Sequence, residues 1–442
     1  MNLKNCFSII SAALILSSTA LTAQESLRQR IAQDPSVAAG NGNVYPVPDP
    51  HQGAPKAPKG FKPFYISHYS RHGSRWLISR EDYSRPQEIL HRQYEKGNLT
   101  SLGEDVMHRL DIVCKAAEGR YEELTEKGGE QQKGIARRMY DNYGEVLGGD
   151  AKVRARSTTV IRCILSMTAF TNALSGCNQA LDIQTDASKH DMEYMNWYDP
   201  NHIVPDVNMS AVTDSLYRAN IDSRRFMSSI FRNPEGISDS FYNAMYMICG
   251  NVQGTTASDV SFWDLFTTDE LYSLYYCSNA GWYFNHGNSP AKNNMRPFVQ
   301  TNLLMTVIAQ ADDAIRDGEY AADLRFGHDG NLSSLVTLMN LNGLGASVSE
   351  IDRISESWSI TDIIPMAANL QMVFYRDKSG EVIVHFALNE KEATLPIDAF
   401  HTSGNKSAPA NFYLWSDVKS YWNSILDKSP SKHYADRLLG IE

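Results

Sequence analysis

No two cysteines of this chain stand at the CxxC spacing of a zinc site; the six lie scattered at positions 6, 114, 163, 177, 249 and 277. A metal centre built on thiolates is therefore not expected, and a chain of 442 residues needs no disulfide scaffold to hold its core. Positive charge is scarce as well, because 41 lysines and arginines face 51 acidic residues, for a net charge of -10. That balance, with an isoelectric point near 5.7, excludes the extended basic surface that nucleic acid or an anionic membrane requires. Any anion the protein binds must be held by a local cluster of cations. Internal repeats are lacking, and the one biased tract is a proline-rich stretch near the N-terminus.

What is present begins with MNLKNCFSIISAALILSSTALTAQ, a short basic region at Lys4, an apolar run and small residues ending at Ala23. This pattern describes a secretory signal peptide over residues 1–23 and predicts export to a periplasm or the cell exterior. Serines and threonines dilute the run, and no stop-transfer charge cluster follows, so stable membrane insertion is not expected once the leader is removed. Cys6 precedes the apolar run, so the pattern of a lipid-modified cysteine after it is missing. Five cysteines remain, an odd number that predicts at least one free thiol unless a bridge forms between molecules.

Hydrophobic residues make up 42% of the chain, ordinary for a globular protein of two domains or of one domain with a large insertion. Residues 24–60, with prolines at 46, 48, 50, 55 and 58, read as an extended lead-in. Phe64, Tyr65, Ile66 and Tyr69 then suit a strand that breaks off at Arg71-His72-Gly73-Ser74-Arg75. A polar region follows, and then a helix within Leu124 to Leu147, with Ile135, Met139 and Tyr143 on one stripe. Lys152 to Ala155 reads as a strand, and Thr158 to Leu174 as a helix with Val160, Ile161, Ile164, Leu165 and Phe170 inward. From 186 to 296 the strand and helix alternation gives way to aromatic helical segments, one opened by a capping box at Thr267 and Glu270. Phe298 to Ile315 is predicted as an amphipathic helix, Ala321 to Phe326 as a strand, and Asn331 to Leu341 as a further helix. A hairpin over Leu370 to Leu388 completes the pattern. The fold class expected is α/β, a mainly parallel central sheet flanked by helices, formed by residues 61–185 and 297–442 and interrupted by a smaller helical domain at 186–296.

Three of these segments share one grammar, a short strand, a turn with His or Arg, and a helix. In an open α/β sheet such turns converge at the carboxyl ends of the strands, where helix N-termini favour anions. Arg71, Arg75 and Arg162 can fork onto the oxygens of a phosphate monoester, and His72 can attack the phosphorus as a covalent nucleophile. Asp329, beside His328, can protonate the departing alkoxide. The competing readings are a solvated surface arginine at 162 and a metal site built from His68, His72, His328 and Asp329. Neighbouring arginines oppose a cation there, so no metal or other cofactor is expected. Lys189 and His190 read as a solvated turn.

RHGSR at 71–75, LTEKG at 124–128, RSTTVIR at 156–162 and GHDGN at 327–331 occur in the order typical of the histidine acid phosphatases, the RHG-motif branch that includes phytases, and the chain resembles that family. The resemblance implies a phosphohistidine mechanism with His72 as nucleophile, Arg71, Arg75 and Arg162 as clamp, His328 as a further phosphate contact and Asp329 as proton donor. FWDLFTTDEL at 262–271 and NEK at 389–391 look like the multiple inositol polyphosphate phosphatase branch, which commonly carries His-Ala-Glu where this chain has His328-Asp329-Gly330. Leu77 also stands where many family members have proline. The function expected is that of an exported phosphomonoesterase acting on phytate or other inositol polyphosphates. The alternatives are a broad-specificity acid phosphatase and a non-catalytic phosphate or sugar-phosphate binder.

Overall fold

Strand β1 (Lys62–Arg71) is buried along its last seven residues, with no alternation, because both of its faces are covered. The computed structural model that shows this describes residues 26–48, 53–196, 203–205, 208–400 and 411–440. The expected signal peptide lies outside the described residues. Beside β1 run β2 (Lys152–Ser157), β3 (Asp182–Asp186), β4 (Ala322–Gly327), β5 (Asn369–Arg376), β6 (Val382–Leu388), β7 (Lys391–Ala393) and β8 (Phe412–Leu414). Their order is β3-β2-β4-β1-β5-β6-β7, with β8 also on β6. The half that carries β3, β2, β4 and β1 is parallel, and the β5 to β8 half is antiparallel.

Helices cover both faces. Helices α1 (Glu126–Tyr143) and α2 (Ile161–Cys177) bury Ile135, Met139, Phe170 and Leu174 against Ile66, Val153 and Leu324 of the sheet. Tyr65 and Tyr69 point the other way, into a larger cluster that includes Leu274 and Tyr275 of α3 (Thr268–His286) and Leu332 and Leu335 of α4 (Asp329–Leu338). Alternation along β1 thus sends neighbouring side chains to different cores. Among the described residues, no helix is long and apolar enough to cross a membrane.

Several expectations need correction. The lead-in is not extended throughout, since residues 26–33 are helical and Pro35–Gly42 forms a 3-10 helix capped by Asp34. The polar region after RHGSR holds two helices, Glu81–Glu95 and Ser101–Ala117, whose charged outer faces hide the inner Tyr83, Leu90, Val106 and Leu110. On α2, Ile161 and Leu165 are exposed at 70% and 45%, while Cys163, Ser166 and Met167 face inward. The apolar residues were a poor guide there because the inner face touches the polar ends of the strands. Helix Thr301–Arg316 follows a 3-10 turn at Arg296–Gln300, and α4 opens two residues earlier than the pattern suggests.

Between β3 and Gln300 the described elements are all helical, and the capping box at Thr267 and Glu270 opens α3 as expected. This stretch shares one continuous hydrophobic cluster with the helices over 81–117 and with Leu303 and Leu332. It is therefore packed into the molecule rather than set apart by its own core.

Candidate active site

The parallel register aligns Arg71 with Gly327 and Phe326 with Ser157, so β1, β4 and β2 end on one line. The residues that follow, His72, His328 and Thr158, therefore meet at one edge of the sheet. His72 is tied there by its backbone, its N–H donating to Gly327 O at 3.0 Å and its carbonyl accepting from Ala367 N at 3.0 Å. Its ring Nδ1 lies 2.8 Å from Gly73 O. A carbonyl only accepts, so Nδ1 carries the hydrogen and Nε2 presents a lone pair. Burial first, then the charges of Arg71 and Arg162, hold the imidazole well below its ordinary titration range and keep it neutral. The ring centroid of His328 lies 5.8 Å away.

The turn after His72 is locked by backbone contact with α1. A Cβ at Gly73 would lie 2.2 Å from Gly128 O, and one at Gly128 would lie 2.2 Å from Ser74 O, so the RHGSR and LTEKG motifs meet glycine to glycine. Thr125 caps α1 through Gly128 N at 3.0 Å, and its own N–H bonds Ser74 O at 2.8 Å. Ser74 N donates to Gln131 Oε1 at 2.8 Å, and Gly73 N to Ser166 Oγ at 3.1 Å. The loop after His72 thus has the N–H groups of both Gly73 and Ser74 satisfied.

Three guanidinium groups surround this point. Arg71 has a fully buried side chain, and Nη1 reaches Asn41 O at 2.5 Å and Ile364 O at 2.7 Å. Arg75, pushed down to about 10 by burial and by Arg71, donates Nη1 to Trp76 O at 2.8 Å. Arg162 stands in the first turn of α2, with Glu122 at 3.3 Å and a side chain only 13% exposed, so it is not a solvated helix residue. The Nε atoms of Arg71 and Arg162 are buried and have no hydrogen-bond partner within the protein. Buried donors without acceptors suit an oxyanion.

The carboxylate on Arg71 is Asp329, in the first turn of α4. Its Oδ2 lies 2.8 Å from Arg71 Nη2 and accepts from Asn41 Nδ2 at 3.1 Å, while Oδ1 accepts from Gly330 N at 2.9 Å. Burial pushes the carboxyl up, but the charge of Arg71 and the hydrogen bond from Asn41 outweigh it and hold the group well below the usual carboxylate range. His328 donates its backbone N–H to Tyr69 OH at 3.2 Å, and its Nε2 lies 3.3 Å from Thr158 Oγ1. Burial and Arg162 push this imidazole down to about 4. Together these groups can hold a phosphate, attack it and protonate what leaves.

A model of the histidine phosphatase superfamily (branch 2) matches residues 70–389, most of the chain. The chain belongs to that superfamily. Among curated proteins, this histidine phosphatase superfamily member is 25% identical over 174 residues to acid phosphatase PHO1 of Komagataella pastoris. That match covers 38% of this chain and 36% of the relative, so the chain spans about a third of the curated protein's length. Among solved structures it is similar to the multiple inositol polyphosphate phosphatase of Bifidobacterium longum in complex with phosphate, at 17% identity and a TM-score of 0.70, covering 90% of this chain and 99% of that one. A phytase from D. castellii matches at 16% identity and a TM-score of 0.68, covering 89% and 86%. These structural likenesses show a common fold.

Of the residues expected at the site, Arg71, His72, Arg75, Arg162, His328 and Asp329 stand together in this superfamily member. His68 does not, because it lies inside β1 between Phe170 and Phe326, with both ring nitrogens unpartnered and burial pushing it down to about 3. Among the described residues, no three His, Cys, Asp or Glu side chains are arranged to hold a metal. The five described cysteines are all unpaired, and Cys163 packs its thiol 3.8 Å from His328 Nε2. Lys189 and His190 are exposed after β3. Sequence reasoning missed Asn41, Tyr69, Gln131 and Ser166. Only Gln131 had a signal, its place just after LTEKG.

Proposed function

We propose that this chain is an exported phosphoric monoester hydrolase that acts on phytate or other inositol polyphosphates through a phosphohistidine intermediate. One observation carries the catalytic reading: a neutral imidazole, fixed by its Nδ1 bond to Gly73 O, stands among three arginines, one of which holds the buried carboxyl group of Asp329. A binding protein needs the arginines but neither of the other two groups. In the first step His72 Nε2 attacks phosphorus, the P–O ester bond breaks, and the proton of Asp329 passes to the leaving alkoxide. In the second, the Asp329 carboxylate takes a proton from water, whose oxygen displaces His72 from phosphorus and releases inorganic phosphate. Arg71, Arg75, Arg162 and His328 hold the phosphoryl oxygens through both steps. Asp329 is ionised while Arg71 faces it alone; a phosphate dianion on Arg71 cancels that charge and raises the carboxyl's proton affinity. Export rests on the pattern of residues 1–23, and the inositol polyphosphate preference on the FWDLFTTDEL and NEK segments.

A broad-specificity acid phosphatase is the second reading, and one feature favours it. A cavity of about 450 Å³ is lined by Arg75 and walled by Ile78, Phe241 and Met247, with Glu81 and Asp82 set against Arg75 and Arg85. Its charges balance and much of its wall is apolar, which suits an apolar alcohol group held next to Arg75 better than a polyphosphate, although His72, His328 and Asp329 do not line it. Release of phosphate from inositol hexakisphosphate, compared with simple alkyl monoesters across pH, decides between them. Faster turnover of the hexakisphosphate supports the first reading, faster turnover of the alkyl esters the second, and turnover of neither makes the protein a binder.

A further inference from the structure

One residue far from every motif touches both members of the central ion pair. Asn41 accepts from Arg71 Nη1 through its backbone carbonyl at 2.5 Å and donates from its side-chain amide to Asp329 Oδ2 at 3.1 Å, while Arg71 Nη2 reaches the same Oδ2 at 2.8 Å. The three groups close a ring. We propose that Asn41 is a positioning residue for the proton donor, orienting the Asp329 carboxyl through its amide and the Arg71 guanidinium through its carbonyl, so that the N-terminal segment belongs to the catalytic unit. This rests on the reading of Asp329 as the proton donor.

The segment is built to place Asn41. The 3-10 helix Pro35–Gly42 breaks at Gly40, whose backbone lies at φ 58 and ψ -123, a conformation open to glycine. A Cβ at Gly40 would also lie 2.6 Å from Ile360 Cδ1. Beyond the break, Asn43 N–H returns to Gly40 O at 3.1 Å, Asn43 Nδ2 bonds Thr361 Oγ1 at 3.2 Å, and Met366 N bonds Asn43 O at 2.8 Å. The chain is thereby sewn onto residues 360–366, the stretch that also supplies Ile364 O to Arg71. Asn41 is held on the same frame as the arginine it contacts.

An amide suits this position because it is neutral. Asp329 is faced by Tyr69 and Arg71 of β1, His72 and Arg75 of the following turn, Cys163 of α2, His286 at the end of α3, and its neighbour His328. A further cation would hold the carboxyl ionised even with substrate bound. An amide N–H fixes its orientation with a smaller bias toward the ionised form.

The test uses side-chain variants, which keep the carbonyl on Arg71. With an alkyl phosphate, Asn41→Leu is expected to lower kcat about tenfold and to move the high-pH limb of the profile up by about one pH unit, as loss of one hydrogen bond to a charged group implies. Turnover of p-nitrophenyl phosphate, whose leaving group needs little protonation, should stay within about twofold of wild type. Asn41→Asp sets two carboxyls side by side and should move the limb further in the same direction. Asn41→Ser, which keeps a small donor, covers the case in which the leucine variant does not fold. Equal loss on both esters with an unmoved limb would mean a merely structural role, and unchanged kinetics would also overturn the proposal. Asp329→Asn serves as control. If it slows both esters equally, the proton-donor reading itself fails; if it discriminates between them while the Asn41 variants do not, only the present inference fails.

Discussion

The site has two halves that are held in different ways. The cradle around His72 is fixed where backbone meets backbone, Gly73 against Gly128 and Thr125 N–H on Ser74 O, and the side chains of Gln131 and Ser166 accept the N–H groups of Ser74 and Gly73. The acid corner around Asp329 is fixed by side chains that arrive from residues 41, 71 and 329, with His286 against Gly330. A cradle locked by main-chain contact tolerates almost no change in shape. A corner of side chains can be retuned one group at a time, and this chain differs from the His-Ala-Glu pattern in that corner.

The contrast can be broken most severely at Gly73. Gly73→Ala must push backbone against backbone, so we expect a loss of about 3 kcal/mol or more in stability, read by thermal melting, together with loss of turnover. A variant that melts and turns over like wild type would show that the cradle is not locked. Next comes Asp329→Asn, expected to slow alkyl phosphates by about 10²–10⁴-fold and p-nitrophenyl phosphate far less, measured as kcat on each.

The halves should also separate with pH. His72 is held neutral well below its ordinary range, so no acid limb is expected near pH 6.5, the usual imidazole value. On the alkaline side the proposed mechanism requires a protonated Asp329, so activity on alkyl esters is expected to fall as pH rises while activity on p-nitrophenyl phosphate persists to higher pH. An acid limb near 6.5 on both esters would show that His72 titrates normally. The smallest effect belongs to Gly330→Ala, whose Cβ would lie 2.7 Å from His286 Cε1. A ring edge yields more readily than backbone, so a cost of about 1–2 kcal/mol in melting and a modest fall in kcat on alkyl esters are expected.

The same contrast explains what was legible in the sequence. Cradle residues lie in short contiguous motifs at strand ends, and strand chemistry at Phe64 to Tyr69 with the hairpin at 370–388 was enough to place them on a sheet. The corner is assembled across nearly 290 residues, from Asn41 to Asp329. A lone asparagine in a proline-rich stretch carries no pattern, so Asn41 was invisible. Periodicity also misled on α2, where the buried side at Cys163 and Ser166 meets the strand ends rather than an apolar layer. The helices over 81–117 were hidden by their charged faces, which outnumber the few inward residues.

The central claim is that His72 carries the phosphoryl group. Acid-quench trapping with a labelled phosphate ester should give an acid-labile, base-stable adduct on the wild-type protein and on Asp329→Asn, and none on His72→Ala. Equal labelling of His72→Ala, or an adduct that survives acid, would contradict it.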